Sequence, residues 1–298
     1  MPAARTSGLP LWPDAATVGG VIATNDSGSL RGAFGSLRDL ILGVTVALPD
    51  GTLARSGGKV VKNVAGYDLP KLVVGAYGTL GVVTRATFRL HPLSKATRTL
   101  RFAAPSPEDA GRFILAMHDS GPPATGLQVV GGNRDPWRVD VRLEGSPAGV
   151  HATAPLVMEI AAGCGLTPTE ASDDPWPERE RVWHDQGAVV KLTFLPTHLA
   201  EVCRAVAVPE WKIVAQGVGV ALLVVSHAYT GDGPERVEHL ARRVRALGGS
   251  VVVLRGTDDL KRRLDPLLTP NTLPLMRAIK KQFDPAGTLN PGRLGGGI

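Results

Sequence analysis

The chain has 298 residues, 43% hydrophobic and 20% charged, enough to bury one large core or two smaller ones. Its formal charge of +6, from 33 Lys and Arg against 27 Asp and Glu, suits an anionic ligand, an acidic partner or a solvated basic surface. No basic run is interleaved with aromatics, so no nucleic-acid footprint is present, and no apolar run reaches the roughly 18 residues that span a bilayer.

Met1 to Pro13 has no apolar stretch of the signal-peptide kind. The two cysteines, Cys164 and Cys203, lie far apart outside any C-x-x-C context. An iron–sulfur cluster or structural zinc on this chain is therefore not expected, and reduced thiols suit a soluble cytoplasmic protein. Glycine stands out, at 36 residues or about twice its usual share.

Residues 1–95 are rich in Gly, Thr and Val with little helical periodicity. Residues 42–48 and 52–56 read as strands of a hairpin, joined by a Pro49-Asp50-Gly51 turn. Asp68 is placed to cap a short helix with Pro70 in its first turn, which Gly75 to Gly81 then break. Residues 82–90 alternate as a strand.

Residues 96–255 repeat themselves. Strand 97–103, helix 107–120, strands 126–130 and 138–143 and helix 149–162 are followed by a tryptophan-bearing polar linker, 173–183. The order then recurs as strand 189–194, helix 197–207, strands 211–215 and 221–225 and helix 234–247, closed by strand 251–254. Two β-α-β-β-α units in tandem predict an antiparallel sheet covered by helices on one face, an α+β architecture. In the final segment, 256–298, residues 272–283 form an amphipathic helix before Asp284-Pro285-Ala286-Gly287 turns the chain.

The informative stretch runs from Thr17 through Val18, Gly19, Gly20, Ala23, Thr24 and Asn25 to Gly28. Adjacent glycines permit positive φ and leave amides bare, so a loop here can converge N–H groups on a phosphate as an anion nest. A tight turn between strands explains a lone Gly-Gly equally well. A second glycine-spaced loop, with Gly78, Thr79, Gly81, Val82 and Val83, can lie flat against a planar ring or serve as a plain strand entry. Lys62, between the two, is either a counter-charge or a solvated surface lysine.

Taken together in this order, Thr17-Val18-Gly19-Gly20, Ala23-Thr24-Asn25, Phe34-Gly35-Ser36-Leu37-Arg38-Asp39-Leu40, Lys62-Asn63-Val64-Ala65-Gly66-Tyr67-Asp68-Leu69 and Gly78-Thr79-Leu80-Gly81-Val82-Val83-Thr84 resemble one family. It is the vanillyl-alcohol oxidase/p-cresol methylhydroxylase type of FAD-binding fold, and within it the E-type subunits of bacterial glycolate oxidases. The tail Asp284-Pro285-Ala286-Gly287-Thr288-Leu289-Asn290-Pro291-Gly292-Arg293 is similar to the family's closing motif.

The resemblance implies an FAD cofactor. Its pyrophosphate and ribitol would meet the 17–28 stretch, its adenine side the 78–83 loop and its isoalloxazine Asn290. Residues 96–255 would form the cap domain, a wall over the flavin. It also implies a sister FAD subunit, an iron–sulfur partner subunit and a small 2-hydroxy acid substrate. A peripheral position at the inner membrane face, through such a complex, stays open.

Two departures from the family pattern follow. The chain begins just upstream of the second family motif, so the first half of the FAD cradle is not expected within it. In catalytic relatives a His-Gly-Asp-Gly-Asn-x-His stretch orients the substrate. The comparable Ala215-Gln216-Gly217-Val218-Gly219-Val220 has no histidine, and none of the seven histidines pairs at i, i+2 or i, i+4. No catalytic residue or metal ligand is nominated. The rival readings are a structural partner that has lost stable FAD and an independent flavin-dependent hydroxy-acid dehydrogenase.

Overall fold

A computed structural model describes residues 17–60, 67–120, 123–132, 136–170, 173–185, 187–208, 210–226, 232–264, 272–294 and 298. They divide into two compact units. The first draws on residues up to Gly28, on Phe34–Leu93 and on the tail from 272; the second holds Ser29–Ala33 and Ser94–Leu264.

The 17–28 stretch, expected as a loop, is a helix in its first half: α1 (Val18–Thr24). Thr17 caps it, its hydroxyl accepting the Gly20 amide at 3.0 Å. Gly19 and Gly20 take no positive φ, so the expected nest is not formed there. The physical reason is burial. Val21 and Ile22 enter a core with Leu37, Ile41, Val44, Val46, Val73 and Val74, and each buried aliphatic contributes about 1.5–3 kcal/mol. That outweighs the roughly 1 kcal/mol a helical glycine costs. The left-handed turn falls instead at Asn25, the C-cap, with φ 47°.

Two single-turn helices follow, α2 (Arg31–Phe34) and α3 (Leu37–Leu40), the latter held by a capping box between Ser36 and Asp39. The expected hairpin is β1 (Ile41–Ala47) with β2 (Leu53–Gly57), in the register Val46↔Ala54. Gly51, at φ 83°, makes its turn. In α4 (Pro70–Val73) the N-cap is Leu69, not Asp68, which pairs instead with Lys71 at 2.6 Å. β3 (Val82–Phe88) completes a three-stranded antiparallel sheet in the order β2-β1-β3.

The second unit contains β4 (Ala96–Ala103), α5 (Pro107–Ser120), β5 (Gly126–Gly132), β6 (Arg138–Gly145), α6 (Pro147–Gly163), β7 (Thr167–Thr169) and α7 (Glu178–Arg181). It continues with β8 (Ala188–Thr193), a 3-10 turn at Pro196–His198, α8 (Leu199–Ala205), β9 (Trp211–Gln216), β10 (Val220–Val225), α9 (Gly233–Ala246), β11 (Ser250–Arg255) and α10 (Asp258–Leu264). The strands form one antiparallel sheet, β11-β8-β10-β9-β5-β6-β4-β7. About the β9–β5 seam this order is the same from either end, as two equivalent halves require. Across the seam α5 packs on α8 so closely that a Cβ on Gly111 would stand 2.9 Å from that of Ala200.

Side chains alternate between the sheet's faces. On one, Phe102 of β4 meets Phe113 of α5 with ring centroids 5.6 Å apart. On the other, Val130, Val189, Val214, Leu222 and Val224 pack with Val182. That face is crossed by residues 173–185, a strap anchored by polar contacts. Gln128 Nε2 donates to Pro175 O at 3.1 Å, and Trp176 Nε1 to Thr99 Oγ1 at 3.0 Å. Glu178 is ion-paired with Lys212, Arg138 and Arg181. Burial raises the Glu178 pKa, but those three cations hold it below the ordinary value. The chain then leaves for the first unit and closes with α11 (Leu273–Phe283).

Gly81 belongs to packing: a Cβ there would fall 2.2 Å from Val46 Cγ1 and 3.1 Å from Ala47 O. Gly81→Ala is therefore expected to destabilise by about 1–3 kcal/mol, with or without added flavin, in thermal unfolding. Loss of stability seen only in flavin-loaded protein would reassign this glycine to the cofactor.

Candidate functional site

Three segments of the first unit meet at one node. From α1, the Ile22 carbonyl accepts the Gly75 amide at 3.0 Å, and the Ala23 carbonyl accepts the Tyr77 amide at 2.9 Å. From the tail, Asn290 Nδ2 donates to the Tyr77 carbonyl at 2.7 Å. Arg293 lies over the Tyr77 ring, 5.5 Å from its centroid. Four non-glycine residues among those described have positive φ, and three are here: Asn25 at 47°, Tyr77 at 53° and Asn290 at 43°. Gly75 and Gly78 flank Tyr77 at 82° and 72°. Left-handed backbone outside glycine is held only where neighbours over-determine it, and such residues cluster at binding sites.

The tail is fixed by one ammonium. Lys280 Nζ, on the last turn of α11, donates to Thr79 O at 2.9 Å, Leu289 O at 2.7 Å and Asp284 Oδ2 at 2.5 Å. Asp284 is 2% exposed and also accepts from the Thr288 and Leu289 amides and the Thr288 hydroxyl. Burial alone would raise its pKa; the Lys280 hydrogen bond and the two backbone donors outweigh that and hold it well below the usual carboxylate range. Burial also raises the Tyr77 phenol above its ordinary 10.0, with Arg293 opposing and Asp26 adding to the shift.

The candidate residues have unequal roles at this node. Thr24 Oγ1 donates back to Gly20 O at 3.0 Å, and Thr79 Oγ1 to Ala76 O at 2.7 Å, so both hydroxyls serve local structure. Val82 and Val83 open β3, paired with Ala47 and Val46; the Val82 side chain is exposed. Gly19 and Gly28 are not explained by packing: a Cβ on Gly19 would find its nearest neighbour at 3.9 Å, and one on Gly28 would find nothing within 4 Å. Lys62 lies outside the described residues.

Sequence reasoning missed Tyr77, Lys280, Asp284 and Arg293. The i, i+4 spacing of Lys280 and Asp284 across a helix end was the available signal.

The node fits FAD. Asn25 Oδ1 is buried and has no hydrogen-bond partner among the described residues, an acceptor that a ribitol hydroxyl, flavin N–H or adenine amine would satisfy. Room above Gly19 and Gly28 admits close backbone approach, and Arg293 supplies positive charge beside it.

Because the Asp284 pKa is depressed by folding, its contribution is present above the unfolded value near 4 and lost as pH falls below it. The melting-temperature gap between wild type and Asp284→Asn should be widest at neutral pH and close on acidification below about pH 4. A gap that stays constant with pH would remove the carboxylate from this account.

Residues 2–57 match the family model described as FAD binding domain, and residues 235–294 match that of FAD linked oxidases, C-terminal domain. A D-lactate dehydrogenase of Archaeoglobus fulgidus is 30% identical, over 94% of this chain and 70% of its own length. The glycolate oxidase subunit GlcE of Escherichia coli is 29% identical over 96% and 73%. A mitochondrial D-lactate dehydrogenase of Arabidopsis thaliana is 26% identical, and the chain spans only 58% of its length. Among solved structures, a VAO-type flavoprotein from Myceliophthora thermophila shares the fold with a TM-score of 0.64 at 16% identity. The match covers 95% of this chain and 61% of that one. An alkyldihydroxyacetonephosphate synthase also gives 0.64, at 18% identity over 93% and 57%. With its α+β architecture and a strained polar node suited to the cofactor, the chain belongs to the FAD-linked oxidase family of glycolate oxidase and D-lactate dehydrogenase type.

Proposed function

We propose that this chain is the FAD-binding subunit of a glycolate-oxidase-type complex that oxidises a small 2-hydroxy acid. The observation that carries the reading is the Asn25–Tyr77–Asn290 node, with a buried carbonyl awaiting a donor. FAD, when bound, would supply hydride-accepting redox chemistry. The chain's own residues bind and orient. Val18, Gly19 and Gly28 present backbone to the diphosphate and ribitol, Thr17 and Gly20 close the cap that positions that backbone, Asn25 accepts a cofactor donor, and Arg293 offsets the phosphate charge.

Asn290 touches Tyr77 O at 2.7 Å, next to Gly78. The two cannot serve opposite ends of one extended FAD, so we place Asn290 and the 78–83 loop at the same part of the cofactor.

A subunit role in a complex, with hydride transfer on a sister subunit and electrons passing to an iron–sulfur partner, is favoured by the β9–β10 turn. Its residues Gly217, Val218 and Gly219 carry no ionisable group, and Gly219 is held at φ 78° with a Cβ position 1.9 Å from Phe194 O. The imidazole at the turn, His118, has its Nε2 engaged with the Gly217 carbonyl at 2.9 Å. Among the described residues no helix is long and apolar enough to cross a membrane, so any membrane attachment is proposed to come through partners.

The purified chain should show flavin absorbance near ~370 and ~450 nm. Asn25→Gly keeps the left-handed backbone and deletes the carboxamide side chain with its unpartnered oxygen. It should weaken FAD binding by about tenfold, the cost of one buried hydrogen bond, with the fold intact by circular dichroism. A folded wild type that takes up no FAD makes the chain a structural partner. Glycolate-dependent dye reduction by the chain alone makes it an independent dehydrogenase.

A further inference from the structure

The symmetry of the eight-stranded sheet places α6 and α9 in equivalent positions, yet their outer faces differ. α9 exposes Glu235, Arg236, His239, Arg242 and Arg243, and α10 packs beside it and on β11. α6 exposes Ala152, Pro155, Leu156, Met158 and Ala162, with Leu156 at 52%. Among the described residues α5 is the helix packed against α6, and its other flank has no counterpart of α10. One half of the unit thus ends in a helix with a charged outer face and the other in one with a bare, apolar outer face.

The bare face has a pattern. Its central positions, Ala148, Ala152, Pro155, Glu159 and Ala162, are spaced alternately by four and three residues, the spacing of a helix–helix seam. Only two of the 17 residues of α6 ionise, His151 and Glu159, and both are exposed. They lie four residues before and four after Pro155. Two such helices laid antiparallel about an axis at Pro155 bring His151 of each against Glu159 of the other. An imidazole can donate to a carboxylate in either of its charge states, so the pairing holds across neutral pH.

We propose that α6 is the contact of a homodimer, a second copy docking its own α6 antiparallel on this apolar outer face. Leu156 and Met158 become buried along the flanks of the seam, and two His151–Glu159 pairs fix the register. Self-complementarity of charge about one residue points to the same chain as occupant rather than to an unrelated partner.

Light scattering on the full chain, flavin-free and flavin-loaded alike, tests this apart from the cofactor reading. Wild type should approach twice 31.2 kDa with rising concentration. Leu156→Asp should give the single-chain mass. Glu159→Lys, at an exposed position that does not threaten the fold, should weaken the dimer about tenfold or more, and adding His151→Glu should restore it. A wild type that stays at the single-chain mass, a dimer indifferent to both single variants, or an α6 that associates only with a sister subunit overturns the proposal.

Discussion

The Asn25–Tyr77–Asn290 node depends on a single, mostly buried ammonium. Lys280 has three protons, and each has an acceptor: a carboxylate on its own helix, a carbonyl of the tail and a carbonyl of the 75–81 loop. A buried ion pair is weak evidence of stability by itself, because desolvation offsets its attraction. Here both members are saturated, Asp284 by two amides and a hydroxyl in addition. The arrangement specifies geometry: it fixes where the Thr79 and Leu289 carbonyls point, and so where Tyr77 and Asn290 meet.

That geometry is strained where it is most closely supported. Tyr77 is left-handed between two left-handed glycines, its amide and carbonyl both engaged and its ring under Arg293. Left-handed backbone costs a β-carbon-bearing residue roughly 1–2 kcal/mol. Neighbours from α1 and from the tail repay that cost in hydrogen bonds. Asn25 Oδ1, at the same node, is a buried acceptor with no partner among the described residues, which is the observation behind the proposed cofactor contact.

The sheet unit was legible because its signal is local and redundant. The β-α-β-β-α order occurs twice, and the helix over the amphipathic run 107–120 is α5 itself. The 17–28 stretch was misread because a glycine pair is a local signal for turns, whereas its helix follows from Thr17 capping and the burial of Val21 and Ile22 against distant residues. Asp68 looked like a cap by type but is drawn to Lys71 instead. The Lys280 contact with Thr79 spans 201 residues, and no periodicity within either segment reports it. The strap was visible as a polar linker, while its function as a cover depends on cross-strand neighbours Asp140, Gln128 and Gln216 that only the folded register aligns.

Duplication explains why the two halves of the sheet unit agree inside and differ outside. The β9–β5 seam demands matched registers and small residues at the α5–α8 crossing, since Gly111 and Ala200 leave no room for larger ones. Changes there disturb both halves at once. Outer helices face no such constraint: a substitution on α6 or α9 touches one half only. α9 carries arginines paired with Asp232, Glu238 and Glu201 and has α10 beside it, while α6 carries an apolar face. The same logic applies to the β9–β10 turn. Its glycines are fixed by close contact, since a Cβ on Gly219 would fall 1.9 Å from Phe194 O and one on Gly217 2.7 Å from Leu127 Cβ, so packing alone keeps ionisable side chains off those two positions.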